Sequence, residues 1–406
     1  MRDVDLALLD AVIDKDMDKV RTALNAGANI NTQEESNARR PHTYKGDTPL
    51  IFAARNDDLE CLKFLLGSQT QVNLANDLGE TALIYTTAPM QTGVHNKLKT
   101  LIPKNIGTAS SGDGIRAFQC FKSLLNAGAD INLADLNGNT TLMYAALFQN
   151  TEIVEQSIQA NADIELKNNL SFTALARSVI AENHTGLKVL IKAGADINTP
   201  DFNSMSPLMH AIFNSDIRYI KTLITAGSKL DIQDDAGRTA LMIAVDLKKN
   251  EYINLLLRGK PNLNIQDKHN KMTALMHAIN VEQNEAIKNL IEAGADLETT
   301  DEDGETALFW AVQKNNSFAV KEILKRQTNL LLKNNRGKTI FDIAKDRNYL
   351  NIIDTLNRHI TQLKEQETLE MLRQQFACNK SFLDKKSSPP IKLRKRLKRP
   401  TNMPKK

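Results

Sequence analysis

One recurrence limits what this chain can fold into more than anything else in it. A Thr or Ser stands two residues ahead of a large apolar residue in GDTPLIFAA, GETALIYTT, GNTTLMYAA, SFTALARSV, SMSPLMHAI, GRTALMIAV, KMTALMHAI, GETALFWAV and GKTIFDIAK. The hydroxyl residues are Thr48, Thr81, Thr140, Thr173, Ser206, Thr239, Thr273, Thr306 and Thr339, separated by 33, 59, 33, 33, 33, 34, 33 and 33 residues. The outlier, 59, is the common period of 33 with 26 residues inserted. A fixed period of this length marks stacked supersecondary units, so dividing the 406 residues by an average domain size says nothing about domain number.

The residues inside each unit say what the unit is. Thr48-Pro49 and Ser206-Pro207 read as helix N-caps with proline at the first helical position, where a backbone N–H has no intrahelical partner anyway. Small residues such as Ala53-Ala54 and Ala145-Ala146 follow, so the first helix is short and packs closely on its neighbours. A second amphipathic run comes next, as in LKVLIKAG (Leu187–Gly194) and IKNLIEAG (Ile287–Gly294). It stops at Gly27, Gly128, Gly194, Gly227 and Gly294, where glycine takes the left-handed helix-ending conformation. Asp, Asn and Gly then lead through a tight turn to the next cap. Two short helices cannot bury their apolar faces in isolation; stacked units can.

The G-x-T-A/P-L opening and the closing G-A-D-I/L-N/E, fullest at Gly128, Gly194 and Gly294 with GANIN at Gly27, resemble the ankyrin repeat family. The resemblance covers about residues 3–360 as ten repeats. It implies an all-α solenoid of helix-turn-helix units joined by β-hairpin-like finger loops. The end units depart from the pattern, as caps of a solenoid do: the first (about 3–31) lacks the G-x-T opening and the last (about 335–360) lacks the glycine exit. Gln69, Asn161, Lys260 and Gln327 replace the exit glycine in interior units. The expected division is a repeat domain over 1–360, a helical extension over 361–384 and a disordered basic tail over 385–406. Two insertions break the period, one in a finger at about 32–44 and one between the helices of the third repeat at about 89–114. The second, rich in Gly, Ser and Thr, reads as a mobile loop: tolerated surface growth or a partner-specific contact.

Composition narrows the class. The chain has 41% apolar and 5% aromatic residues and no run of about 18 apolar ones, so no transmembrane helix is expected. Its acidic, amphipathic N-terminus is the opposite of a secretory signal. Three widely spaced cysteines (Cys61, Cys120, Cys378) exclude a disulfide framework and a Cys-based zinc module, and Cys61 and Cys120 fall among apolar neighbours as core residues. The expected location is intracellular, cytoplasmic or nuclear; if the chain is an effector of the kind some intracellular bacteria make from this family, the cell is a host cell.

No motif carries catalytic, cofactor or metal chemistry. Gly337-Lys338-Thr339 ends like a phosphate loop, but its first glycine is replaced by Leu332 and it occupies the repeat's turn slot. His210 and His277 share one slot two units apart with Ile243 between, which suits satisfied, partly buried histidines rather than a metal pair. That slot, four residues past the hydroxyl, holds Phe52, Tyr85, Tyr144, Arg177, His210, Ile243, His277 and Trp310; in the family it is a Leu of the inter-helix core, so packing is expected. Asp130, Asp196 and Asp296 sit in turns and read as caps. No enzyme, cofactor or metal site is expected.

Family members usually contact partners through the finger loops and the ends of the first helices. The corresponding positions are polar in the outer repeats (Tyr44, Lys45, Asp47, Arg55 and Asn56; Glu302, Asp303, Glu305, Gln313 and Lys314). In the middle they turn apolar: Leu136, Leu147, Phe148, Leu170, Phe172, Ile180, Phe202, Met205 and Phe213. Either these form an exposed partner-binding patch on the concave face, or degenerate repeats pack tightly and bury them. Leu147, Phe148, Phe172, Ile180, Phe202, Met205 and Phe213 are the candidate contacts, with Phe148, Phe172, Phe202 and Phe213 as anchors.

The net charge of +4 conceals an asymmetry. Ten basic residues and no acidic one lie in 385–406, which leaves 42 basic against 48 acidic, a net of −6, elsewhere. The cluster Lys385, Lys386, Lys392, Arg394, Lys395, Arg396, Lys398 and Arg399 reads as a nuclear import signal, a phosphate-backbone contact, an anionic-membrane contact or a solubilising tail. The expected function is a monomeric, non-catalytic scaffold binding another protein, with the tail setting location. The alternative is a nucleic-acid-associated protein whose tail binds phosphates while the repeats recruit.

Overall fold

The computed structural model describes residues 2–35, 44–87, 113–326 and 328–366. The finger insertion at 36–43, most of the inter-helix insertion, Gln327, and everything from 367 onward, the basic tail included, lie outside the described residues. The period is realised as helix pairs. In the interior units the first helix has seven residues (Thr141–Leu147, Ala174–Ile180, Pro207–Phe213, Ala240–Asp246) and the second has nine (Thr151–Gln159, His184–Lys192, Ile217–Thr225, Asn250–Arg258). The chain opens with Asp3–Ile13 and Met17–Asn25 and closes with Ile340–Asp346 and helical backbone over 350–366. That last stretch runs unbroken across position 360, and its residues 361–366 are exposed. The helix after Thr81 is cut to Ala82–Tyr85 where the insertion leaves it, and its partner resumes at Asp113–Asn126.

The recurring hydroxyls are caps. Thr48 Oγ1 accepts the Ile51 N–H at 3.2 Å, Thr173 Oγ1 that of Ala176 at 3.3 Å, and Thr339 Oγ1 that of Asp342 at 3.2 Å. Each such bond contributes about 1 kcal/mol to its helix. Thr306 is the exception and makes no side-chain capping bond. The exit glycines have positive φ, from 85° at Gly27 to 93° at Gly227, and Asn161 (φ 59°) and Lys260 (φ 54°) hold the same conformation without glycine. A second left-handed residue recurs nine past the hydroxyl, between the two helices of a unit. It is never glycine there: Asp57, Gln149, Glu182, Ser215, Lys248, Glu282, Asn315 and Asn348.

The core is a continuous column between the two helix layers. Small residues of successive first helices, among them Ala53, Ala54, Ala145, Ala146, Ala211 and Ala244, are fully buried, and the second helices add Leu62, Ile153, Leu187, Ile220 and Ile287. Two rails of hydrogen bonds tie the units together outside this core. Along the exit loops, the residue closing each ADIN-like motif accepts a backbone N–H from the next unit: Asn132 from Asp163 (2.8 Å), Asn198 from Lys229 (2.8 Å) and Asn264 from Asp296 (2.9 Å). Along the fingertips the rail is backbone to backbone, with Leu136 N–H donating to Leu78 O (2.9 Å), Asn169 to Asn137 (2.9 Å), Phe202 to Leu170 (3.1 Å) and Asp235 to Asn203 (3.1 Å). Close approach of the fingers explains their glycines. A Cβ on Gly79 (φ 78°) would lie 2.8 Å from Leu136 N, inside the backbone of the next finger. Among the described residues, β structure is limited to single antiparallel bridges within fingers, Ala75–Thr81, Ala134–Thr140 and Gln233–Thr239.

Candidate protein-binding face

The fingertip rail places apolar side chains in pairs. Leu78 (38% exposed) is bonded to Leu136 (68%), and Leu170 (45%) to Phe202 (55%). Asn169 joins the two pairs: its Nδ2 donates to the Leu136 carbonyl at 2.9 Å. The four therefore stand on consecutive fingers whose backbones are mutually fixed. Phe213, 43% exposed at the end of its first helix, adds a further apolar side chain, and Phe172 and Met205 are half-buried.

The other three candidates are corrected as exposed contacts. Leu147, Phe148 and Ile180 are buried within the chain. Leu147 and Phe148 form a satellite cluster with Ile84, Tyr144 and Ala181, in which the Phe148 ring stacks on Tyr144 at 6.0 Å. Of the four expected anchors, Phe202 and Phe213 are exposed, Phe172 is partly so and Phe148 is packed. Sequence reasoning passed over Leu78 and Leu247, both exposed at the same finger and helix-end slots; applying the slot rule to every repeat finds them.

Nor are the early outer positions a free polar surface. Asp47 is fully buried and accepts from Arg55 Nη1 (2.8 Å), Asn76 Nδ2 (2.9 Å) and the Tyr44 N–H (2.8 Å). The Arg55 guanidinium lies 4.2 Å from the Tyr85 ring centre and 5.4 Å from that of Tyr44.

The slot four past the hydroxyl is packed, as expected, but it has polar partners. Its donors reach the acidic residue at the base of their own finger: Tyr144 Oη to Asp135 Oδ2 (2.5 Å), His210 Nε2 to Asp201 Oδ2 (3.0 Å), His277 Nε2 to Asp267 Oδ2 (2.9 Å) and Trp310 Nε1 to Asp301 Oδ2 (2.8 Å). The other oxygen of these carboxylates takes finger N–H groups, as Asp135 Oδ1 does from Asn137 (2.9 Å) and Asn139 (2.7 Å). In these four units the finger is thus pinned to its helix by one side chain. Burial opposes ionisation of Asp201, but the His210 contact and finger N–H groups outweigh it and hold the carboxyl below its usual range. Burial pushes the Tyr144 hydroxyl well above its ordinary range, and the Asp135 charge adds to that. Cys61 and Cys120 are fully buried, and burial pushes each thiol up to about 12. Among the described residues no group of three or more His, Cys, Asp or Glu side chains is arranged to hold a metal ion, and no helix is long and apolar enough to cross a membrane.

Family models for ankyrin repeats match residues 8–66, 107–201, 208–301 and 275–366. Among solved structures, the chain is similar to the ankyrin repeat domain of Bcl-3, described as a unique member of the IkappaB protein family. That likeness has a TM-score of 0.50 and 23% identity, covering 54% of this chain and 99% of that one. At this identity it concerns the fold. Ankyrin repeats are generally protein–protein interaction modules without catalysis of their own. With its period, caps, finger rail and matched repeats taken together, the chain is a member of the ankyrin repeat family.

Proposed function

We propose that the chain is a non-catalytic, monomeric scaffold that grips a partner protein on its finger face. One observation carries this reading: the exposed pairs Leu78–Leu136 and Leu170–Phe202, set on fingers that are hydrogen-bonded to each other. Apolar side chains exposed in series are the usual mark of an interaction site. Because the fingers are fixed before any partner arrives, little ordering entropy is lost on contact, which favours affinity per unit area. Phe202 and Phe213 are the aromatic anchors, and truncation of either to Ala weakens binding by about 1–3 kcal/mol. In this reading the repeat domain over 1–360 binds, 361–384 extends its end, and 385–406 sets location inside the cell.

The test is quantitative affinity capture with the full chain, with residues 1–384, and with a full chain carrying Ala at 136, 170, 202 and 213. The reading expects 1–384 to retain the captured proteins and the quadruple variant, folded by circular dichroism, to lose them. Charge asymmetry supports a second reading, in which the ten basic residues of 385–406 hold nucleic acid and the repeats recruit. There, capture disappears with the tail or with nuclease, and falls steeply between 50 and about 200 mM salt.

A further inference from the structure

One unit breaks the finger-pinning rule in a way that changes its charge. In the unit opened by Thr173 the slot residue is Arg177, and the finger position that holds Asp in the units of Tyr144, His210, His277 and Trp310 is Asn168. An amide therefore stands where a cation would find its carboxylate. Asn168 is already committed: its Oδ1 accepts the Leu170 (3.0 Å) and Phe172 (2.9 Å) N–H groups, and its Nδ2 donates to Asn139 Oδ1 (2.8 Å). Arg177 Nη2 donates to that same Asn139 oxygen at 3.0 Å, its Nε is buried with no hydrogen-bond partner, and the guanidinium lies 5.1 Å from the centre of the Phe172 ring. No carboxylate forms an ion pair with it among the described residues. The carboxylate whose charge acts on it, Asp135 of the preceding unit, already accepts from Tyr144 and Asn139. Compare Arg55 and Arg238, which meet Asp47 and Asp234 at 2.8 and 2.9 Å.

Arg177 is mostly but not fully buried, and Phe172, against which it lies, is the residue that follows the fingertip bearing Leu170. The cation without a counter-ion thus sits at the base of the apolar ridge. Building on the proposed binding role of that ridge, we infer that Arg177 is the specificity contact of this face: the partner segment that covers Leu136, Leu170 and Phe202 carries an Asp or Glu carboxylate that pairs with the Arg177 guanidinium. A guanidinium forks onto a carboxylate through two N–H groups, and a partly desolvated charge rejects a segment that leaves it unpaired. The partner's chemistry is accordingly an apolar segment with one acidic side chain, and a neutral or basic segment of the same shape is discriminated against.

Selection of a phage-displayed random 12-residue peptide library on the full wild-type chain, counter-selected on the Leu170→Ala/Phe202→Ala variant, tests this. The expected consensus holds one Asp or Glu among apolar positions. With the synthesised consensus peptide, replacing its acid by the amide weakens binding to wild type at least tenfold and binding to Arg177→Gln less than twofold. Such a cycle cancels any general effect of the substitution on folding, and Arg177→Lys, which keeps the charge, is expected to retain part of the preference. Ridge-dependent peptides without an acid, or an acid whose loss is felt equally by wild type and Arg177→Gln, overturn the assignment of Arg177 while leaving the ridge as a binding face. A selection that returns no ridge-dependent peptide overturns both.

Discussion

His277 Nε2 lies 2.9 Å from Asp267 Oδ2, while its Nδ1 lies 2.9 Å from Asp246 Oδ1 in the preceding unit. The imidazole therefore ties its own finger to the helix below. Burial disfavours its charged form, but the bonds and charges of Asp246 and Asp267 outweigh burial and hold its pKa above the ordinary value of 6.5. A raised pKa means that the folded state holds the proton more tightly than the unfolded chain. The stabilisation is complete below pH 6.5 and is lost as pH rises through the folded value. Urea unfolding should show wild type losing stability relative to His277→Gln over that window. At pH 6 the variant should be less stable by about 2 kcal/mol, since hydrogen bonds to charged groups are removed. Parallel pH profiles would contradict the charged-histidine description.

Steric contact between fingers predicts a position-dependent glycine effect. Gly79→Ala drives a methyl group into the backbone N of Leu136, and should cost about 1–3 kcal/mol beyond the conformational penalty. Gly337→Ala, in the last finger, meets nothing within 4 Å and should lose about 1 kcal/mol, from its left-handed backbone. Equal losses in denaturant titrations would show that the fingers are not in contact.

Turns between the helices of each unit lead to the opposite prediction. Lys248 (φ 55°) and Glu282 (φ 57°) are held left-handed against the preference of L residues. Lys248→Gly and Glu282→Gly should each stabilise by about 0.5–1 kcal/mol, the relieved strain exceeding the added chain entropy of glycine. Thermal melts of the two variants and their combination check this; a fall in Tm in either would contradict it.

Thiol chemistry reports on the integrity of the column. Cys61 and Cys120 are buried and held at about 12, so both should resist alkylation at pH 8 in the native chain and react promptly in denaturant. Peptide mapping after timed iodoacetamide exposure reads each site separately. Fast native labelling of either would mean that its unit opens locally.

The period, the caps and the glycine exits were legible because each is local chemistry: a hydroxyl three residues from the N–H it accepts, a residue that must turn left-handed. What depends on the adjacent unit was not. The Asn that closes the ADIN motif reads as a turn residue until Asn132 is seen holding Asp163 of the next repeat. Leu147, Ile180 and Phe213 occupy one slot, seven past the hydroxyl, yet Leu147 and Ile180 are buried while Phe213 is exposed. Neighbours decide for Leu147, which Ile84, Tyr144, Phe148 and Ala181 join in a cluster. For Arg177 the missing acidic partner is legible, since Asn168 of its own unit stands where the units of Tyr144, His210, His277 and Trp310 place Asp, whereas its contacts with the Phe172 ring and with Asn139 of the preceding unit are not.

In the proposed function a partner lies across the fingers from Leu78 to Phe202. Hydrogen-exchange mass spectrometry of the full chain, free and with a captured partner at saturating concentration, tests it most directly. Slowed exchange is expected in peptides spanning 75–81, 133–140, 167–173 and 200–206, with the second helices at 151–159, 184–192 and 217–225 unchanged. Protection confined to those second helices, or to residues beyond 384, would contradict it.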